Sequence, residues 1–208
     1  MKRIIVTVLG VALVLTATTG VFAQTALTGF TGKGFKVGLN LANITGGDAP
    51  DETSMRMGFA GGGWITYAFS DLFAVQPELF YTMKGYKYDF TDPITQQTET
   101  YTFKADYIEV PVLARVSLSG ASNFKPNFYA GPSIAFLLSA KNGDTDVKEY
   151  MKSTDFGLIG GVGADYLLGT GKITFDVRYN VGLTSTDDSG NDSDVKNSAI
   201  TFLVGYGF

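Results

Sequence analysis

The residues that carry most enzymatic and metal chemistry are partly missing: the 208-residue chain has no Cys and no His. Zinc sites of the usual kinds and Ser-His or Cys-His nucleophile pairs therefore cannot form, and no disulfide can stabilise the chain. Chemistry would fall to the 16 Lys and Arg and the 20 Asp and Glu. Two groups of these stand out. The stretch Asp187-Asp188-Ser189-Gly190-Asn191-Asp192-Ser193-Asp194 offers oxygen ligands of the kind that hold Ca2+. It lacks a Gly at the sixth place and a Glu at the twelfth, so a solvated loop tip is the simpler reading and no metal is assigned. The second group is nine charges set inside otherwise apolar, alternating segments: Lys36, Glu78, Lys84, Glu109, Arg115, Asp155, Asp165, Asp176 and Arg178. A carboxylate pair such as Glu109 with Asp176 could do acid–base work. Four cations against five anions fit mutual neutralisation better, so no catalytic residue and no cofactor is assigned, and the chain is not expected to be an enzyme.

The segments that carry these charges read as strands. With 26 Gly, 16 Phe and 11 Tyr, the composition suits strands and tight turns better than helices. Strands are expected near 35–43, 56–69, 73–88, 101–118, 124–140, 153–168, 172–184 and 197–208. The gaps between them alternate: long at 44–55, 89–100, 141–152 and 185–196, short at 70–72, 119–123 and 169–171. Such alternation matches an up-and-down barrel with both termini at one end. Pro111 and Pro132 lack an N–H, and local bulges are expected at both.

Parity assigns the faces. Ile173, Phe175, Val177, Tyr179, Val181 and Leu183 share one side of their strand, against Thr174, Asp176, Arg178 and Asn180. Val75, Leu79, Tyr81 and Met83 likewise oppose Gln76, Glu78, Thr82 and Lys84. In a membrane barrel the greasy face meets lipid and the polar face lines the interior. An eight-stranded barrel is narrow enough for side chains to fill, and charges confined there must pair. The nine charges are therefore expected as a lumen network. The last strand sets Ile200, Phe202, Val204, Tyr206 and Phe208 on the greasy side. Phe202, Val204, Tyr206 and Phe208 are expected to act as the segment that the barrel-assembly machinery reads.

The start of the chain reads as an export signal. Lys2 and Arg3 precede an apolar run from Ile4 to Leu15, and Val21-Phe22-Ala23 suits a cut before Gln24. The run is shorter than the ~20 residues that a spanning helix needs. Cleavage would leave residues 24–208 as one barrel domain, and no Cys follows the cut to carry a lipid anchor. Losing Lys2 and Arg3 takes the net charge from −4 to −6, which argues against nucleic acid as a partner. The mean hydropathy is slightly positive, as a membrane barrel with alternating apolar residues would give.

Five segments, GFKVGLNLANI, YIEVPVLARV, FYAGPSIAFLL, DFGLIGGVGADY and FDVRYNVGLT, resemble in order and spacing the PorT-like or "porin family" outer-membrane proteins of Bacteroidota. The resemblance covers most of residues 33–208 and includes the motif positions Glu109, Pro111, Gly131, Pro132 and Arg178. It implies an eight-stranded antiparallel transmembrane β-barrel like the small OmpA- and OmpX-type barrels, and no single activity. The expected protein is all-β and sits in the outer membrane of a Gram-negative bacterium, surrounded by lipid. Its expected role is structural, or interaction through four long extracellular loops with a ligand or protein. Alternatives are a small-solute channel, an accessory of a protein secretion system, or a soluble periplasmic lipocalin-like binder.

Overall fold

Alternating apolar and polar residues with glycine-rich turns build a single antiparallel sheet that closes on itself. The computed structural model describes residues 28–50, 52–118, 123–188 and 193–208. Its strands are β1 (Gly29–Thr45), β2 (Thr53–Ala68), β3 (Phe73–Thr91), β4 (Thr98–Ser117), β5 (Phe124–Asn142), β6 (Thr145–Asp146), β7 (Thr154–Leu168), β8 (Gly171–Gly182) and β9 (Lys196–Gly207). The eight long strands pair in chain order, and β1 pairs with β9 from Gly34↔Gly207 to Thr45↔Lys196. That last pairing closes the ring of eight, so the barrel wall itself has no edge strand. β6 is a two-residue addition to the end of β5 and lies beside the ring. A single 3-10 turn at Lys148–Tyr150 follows it.

The connections differ at the two ends. Residues 69–72 and 169–170 make short turns at one end, where Lys33 and Phe208 also exchange backbone hydrogen bonds of 2.9 and 3.3 Å. The connections that follow Thr45, Thr91, Asn142 and Gly182 are longer and leave from the other end. The export signal expected at residues 1–23 and most of the expected 119–123 turn lie outside the described residues.

Three details differ from the sequence reading. β1 begins at Gly29 instead of 35. β3 and β4 run on to Thr91↔Thr98, so half of the loop expected at 89–100 is paired as a hairpin. Cross-strand stacking extends that ladder: the Tyr86 and Phe103 rings lie 5.2 Å apart and those of Tyr88 and Tyr101 5.7 Å apart. The base of the hairpin turns at Gly85, whose φ of +130° and closeness to the Phe103 carbonyl leave no place for a Cβ. The third difference concerns the prolines. The register is the same on both sides of Pro111, from Glu109↔Ala135 to Ala114↔Ala130, and on both sides of Pro132, from Gly131↔Ile159 to Ser133↔Gly157. The bulges expected there do not form, because a proline can forgo its own ladder bond while its neighbours keep the register. Register shifts fall instead at Phe30/Gly32, Met55/Ala60 and Asp106/Tyr107.

The two faces of the ring separate cleanly. Along β8, Phe175, Val177 and Tyr179 are exposed, whereas Thr174, Asp176, Arg178 and Asn180 are buried. Large apolar side chains stand exposed on the outside of every long strand, among them Leu39, Phe59, Leu79, Val112, Phe128, Leu158 and Phe202. The core is therefore inside the ring and largely polar.

Candidate functional site

Nine charged residues sit at inward parity on β1, β3, β4, β7 and β8, and all nine are buried. The closed ring brings together pairs as far apart in the chain as Lys36 and Asp176. They fall into three clusters along the barrel axis.

The central cluster joins Lys36, Glu78, Asp176 and Arg178. Lys36 Nζ lies 2.9 Å from Asp176 Oδ2 and 3.5 Å from Glu78 Oε1. Arg178 grips both oxygens of Glu78, with Nη1 to Oε2 at 2.6 Å and Nη2 to Oε1 at 3.4 Å. This two-pronged geometry matches the planar guanidinium to the carboxylate. The Phe80 and Tyr129 rings lie 5.3 and 5.4 Å from the Arg178 guanidinium and stabilise its charge through their faces. Gln76 Nε2 adds a 2.8 Å hydrogen bond to Glu78.

Nearer the long connections, Lys84 Nζ lies 3.0 Å from Glu109 and 3.5 Å from Asp155, over the Tyr107 ring. Asn180 donates to Glu109 at 2.6 Å and Asn197 to Asp155 at 2.9 Å. Each carboxylate thus gains an amide donor beside the lysine they share. Nearer the short turns, Asp165 receives both Arg115 and Lys172, each at 2.7 Å, and Arg115 also donates to Gln76 at 2.9 Å. Lys172 is absent from the expected set although it shares parity with Thr174, Asp176 and Arg178; it brings the cations to five against five anions. The inward Trp64, over which Lys36 and Lys172 both lie, was equally legible from its spacing with Thr66 on β2. Arg56 and Asp106 form a further pair at 4.0 Å.

Glu109 and Asp176 belong to different clusters, each bound to its own lysine, so the acid–base pair considered from the sequence does not form. Among the described residues no group of three or more Asp and Glu is placed to hold a metal ion. Residues 189–192 of the acidic stretch lie outside the described residues. Asp194, at its end, ties two long connections together. It accepts from Gly47 N–H at 3.2 Å, and its own N–H donates to Asp48 at 2.7 Å. The Lys196 ammonium, 2.6 Å away, and the Gly47 N–H hold the Asp194 carboxyl below the usual range.

The two ends of the interior are unlike. Toward the long connections, Ala105, Tyr107, Ala135, Leu137 and Ala140 form a buried apolar cluster against which Phe103, Val147 and Met151 are set. Val147 and Met151 belong to the 143–153 connection, which turns inward over the mouth. Toward the short turns the barrel opens into a cavity of about 540 Å3 lined by residues including Thr66, Arg115, Lys125, Asp165 and Lys172. Phe202, Val204, Tyr206 and Phe208 stand exposed on the outer face of β9, with the Tyr206 and Phe208 rings 6.4 Å apart.

A closed ring with apolar side chains outside and paired charges inside is the arrangement of a transmembrane β-barrel. Residues 22–188 match the family described as outer membrane protein beta-barrel domain, and the chain belongs to that family. It is accordingly an outer-membrane protein of a Gram-negative bacterium. Among solved structures, neisserial surface protein A is similar at a TM-score of 0.53 and 19% identity, over 86% of this chain and 97% of that one. OprG of Pseudomonas aeruginosa has a TM-score of 0.48 and 13% identity over 86% and 96% of the two chains. Outer membrane protein W of E. coli has 0.44 and 16% over 89% and 99%. No curated protein sequence matches the chain.

Removing Arg178 leaves Glu78 buried with only Lys36 and Gln76 beside it. Arg178→Ala is expected to lower the unfolding free energy in detergent by ~3–5 kcal/mol. Urea titration followed by the fluorescence of Trp64, the one Trp of the chain, reads this; an unchanged midpoint would show that the cluster tolerates the lone carboxylate.

Proposed function

We propose that this protein is a plugged outer-membrane barrel that acts as a structural or surface-interaction protein through its four long connections. In this reading residues 1–23 are removed on export, residues 24–208 form the barrel, and the long connections face the cell exterior. The observation that carries it is the filled interior: three paired-charge clusters with an apolar cap above them leave the loops as the surface free to contact other molecules. No enzymatic activity belongs to this reading, and the five segments named above support placing the chain in the PorT-like group.

The nine charges expected from the sequence, with Lys172 added, are proposed as the plug itself. Water-filled channels belong to barrels of about 16 strands, whereas eight leave room for side chains. Purified protein in planar bilayers is expected to give no stable large conductance. Steady open-channel current would favour the small-solute channel instead.

Topology has its own test. Protease added to intact cells is expected to cut within 46–52, 92–97, 143–153 or 183–195 and to spare the short turns. Cuts confined to permeabilised cells would reverse the orientation.

Phe202, Val204, Tyr206 and Phe208 are proposed as the strand that the barrel-assembly machinery reads, since they present an apolar and aromatic row on the lipid face. Phe208→Ala is expected to reduce the amount of folded protein in the outer membrane several-fold while leaving the stability of the refolded protein nearly unchanged. Wild-type membrane levels would count against this role.

A further inference from the structure

The outward face of β4 and β5 carries a pairing that the fold does not explain. Lys104 on β4 lies directly opposite Lys141 on β5, both exposed. Directly opposed residues hold their Cβ atoms about 4.5–5.5 Å apart, and like charges there destabilise a sheet. Lys87 joins them from β3, since it pairs with Thr102, two residues along the same face from Lys104. Lys148 arrives from the 3-10 turn, and its ammonium donates to the Leu138 carbonyl at 2.9 Å.

Two of the acidic groups beside these lysines have other partners. Asp106 accepts from the Tyr81 hydroxyl at 2.9 Å and lies 4.0 Å from Arg56. Asp146, opposite Lys141 on β6, accepts the Lys148 N–H at 2.9 Å. Among the described residues no carboxylate lies within 4.0 Å of the Lys87, Lys104, Lys141 or Lys148 ammonium groups.

Height on the barrel says what sits against them. Below Lys104 on the same face of β4 come Asp106 and then Ile108, Val110 and Val112; below Lys141 on β5 come the exposed Leu138 and Phe136. The lysines therefore stand where the apolar belt ends, at the level of the lipid headgroups, with stems long enough to reach along it.

We propose that Lys87, Lys104, Lys141 and Lys148 form a site for the phosphate groups of outer-leaflet lipid headgroups. One doubly charged phosphate between Lys104 and Lys141 turns their repulsion into two attractive, charge-assisted contacts. The site rests on the long connections facing outward. Cell-surface proteolysis tests that orientation separately, whereas lipid binding in detergent does not depend on it.

The test uses the full barrel in zwitterionic detergent, titrated with bisphosphorylated lipid A, its dephosphorylated form, or inorganic phosphate, with thermal unfolding as the readout. Lipid A is expected to raise the unfolding temperature, the dephosphorylated form to leave it unchanged, and phosphate at matched concentration to give a far smaller shift. Each lysine near a charged lipid surface changes binding roughly five-fold, so K104Q/K141Q should weaken the lipid A effect roughly twenty- to thirty-fold. The same variant without lipid should unfold at or above the wild-type temperature, because the like-charge opposition is gone. Should the double variant fold poorly, Lys148→Gln alone should still weaken the lipid A effect several-fold, while Lys33→Gln at the opposite end should not. An undiminished lipid A shift in the lysine variants, or an equal shift with dephosphorylated lipid or free phosphate, overturns the proposal.

Discussion

The structure depends on one constraint: a charge inside a narrow ring of eight strands cannot be left without a partner. Taking an ion out of water costs several kcal/mol even after relaxation, and a barrel this narrow is filled mainly by side chains. Every inward cation from Lys36 to Arg178 accordingly meets a carboxylate, and every carboxylate is also served by an amide, a second cation or both, Asp176 alone depending on Lys36. Aromatic faces supply the remaining surroundings. Trp64, Phe80, Tyr107 and Tyr129 lie against the cations, filling volume without adding charge.

This interior sets the division of labour in the barrel. Polar groups that would line a soluble protein's surface here hold strands together from within, and the apolar residues that would form a core face lipid. The interior clusters link strands that share no ladder, such as β3 with β8 through Glu78 and Arg178. They brace the ring across its diameter, while the backbone ladder braces it around its circumference. The long connections rest on this doubly braced scaffold. They are nonetheless tied to one another, as Asp48 and Asp194 and the backbone contacts of Met151 with Asp187 show.

Much of this was legible because strand parity is a local property. Asp176 and Arg178 alternate with Phe175, Val177 and Tyr179, so their inward direction needs no knowledge of other strands. Lys172 was equally available by that rule. The misses have local causes of another kind. The ladder from Asp89 to Thr100 reads as loop from its polar residues, and the stacked Tyr88 and Tyr101, distant by one residue from its base, are a cross-strand contact that only the pairing reveals. Pro111 and Pro132 signalled bulges that did not form, since register is held by the many bonds on either side of one missing donor.

The sequence by itself determined the closed all-β architecture, the two faces of each strand and the set of charges that must meet inside. Side-chain alternation and turn spacing need only neighbouring residues to be read. Which charge meets which was decided by the tertiary structure alone. Partner choice depends on the stagger of strands around the ring, and that stagger sets Arg178 beside Glu78 and Asp176 beside Lys36. The opposition of Lys104 and Lys141 has the same origin: each is an unremarkable surface lysine in its own strand, and only the register after the Asp106/Tyr107 shift sets them face to face.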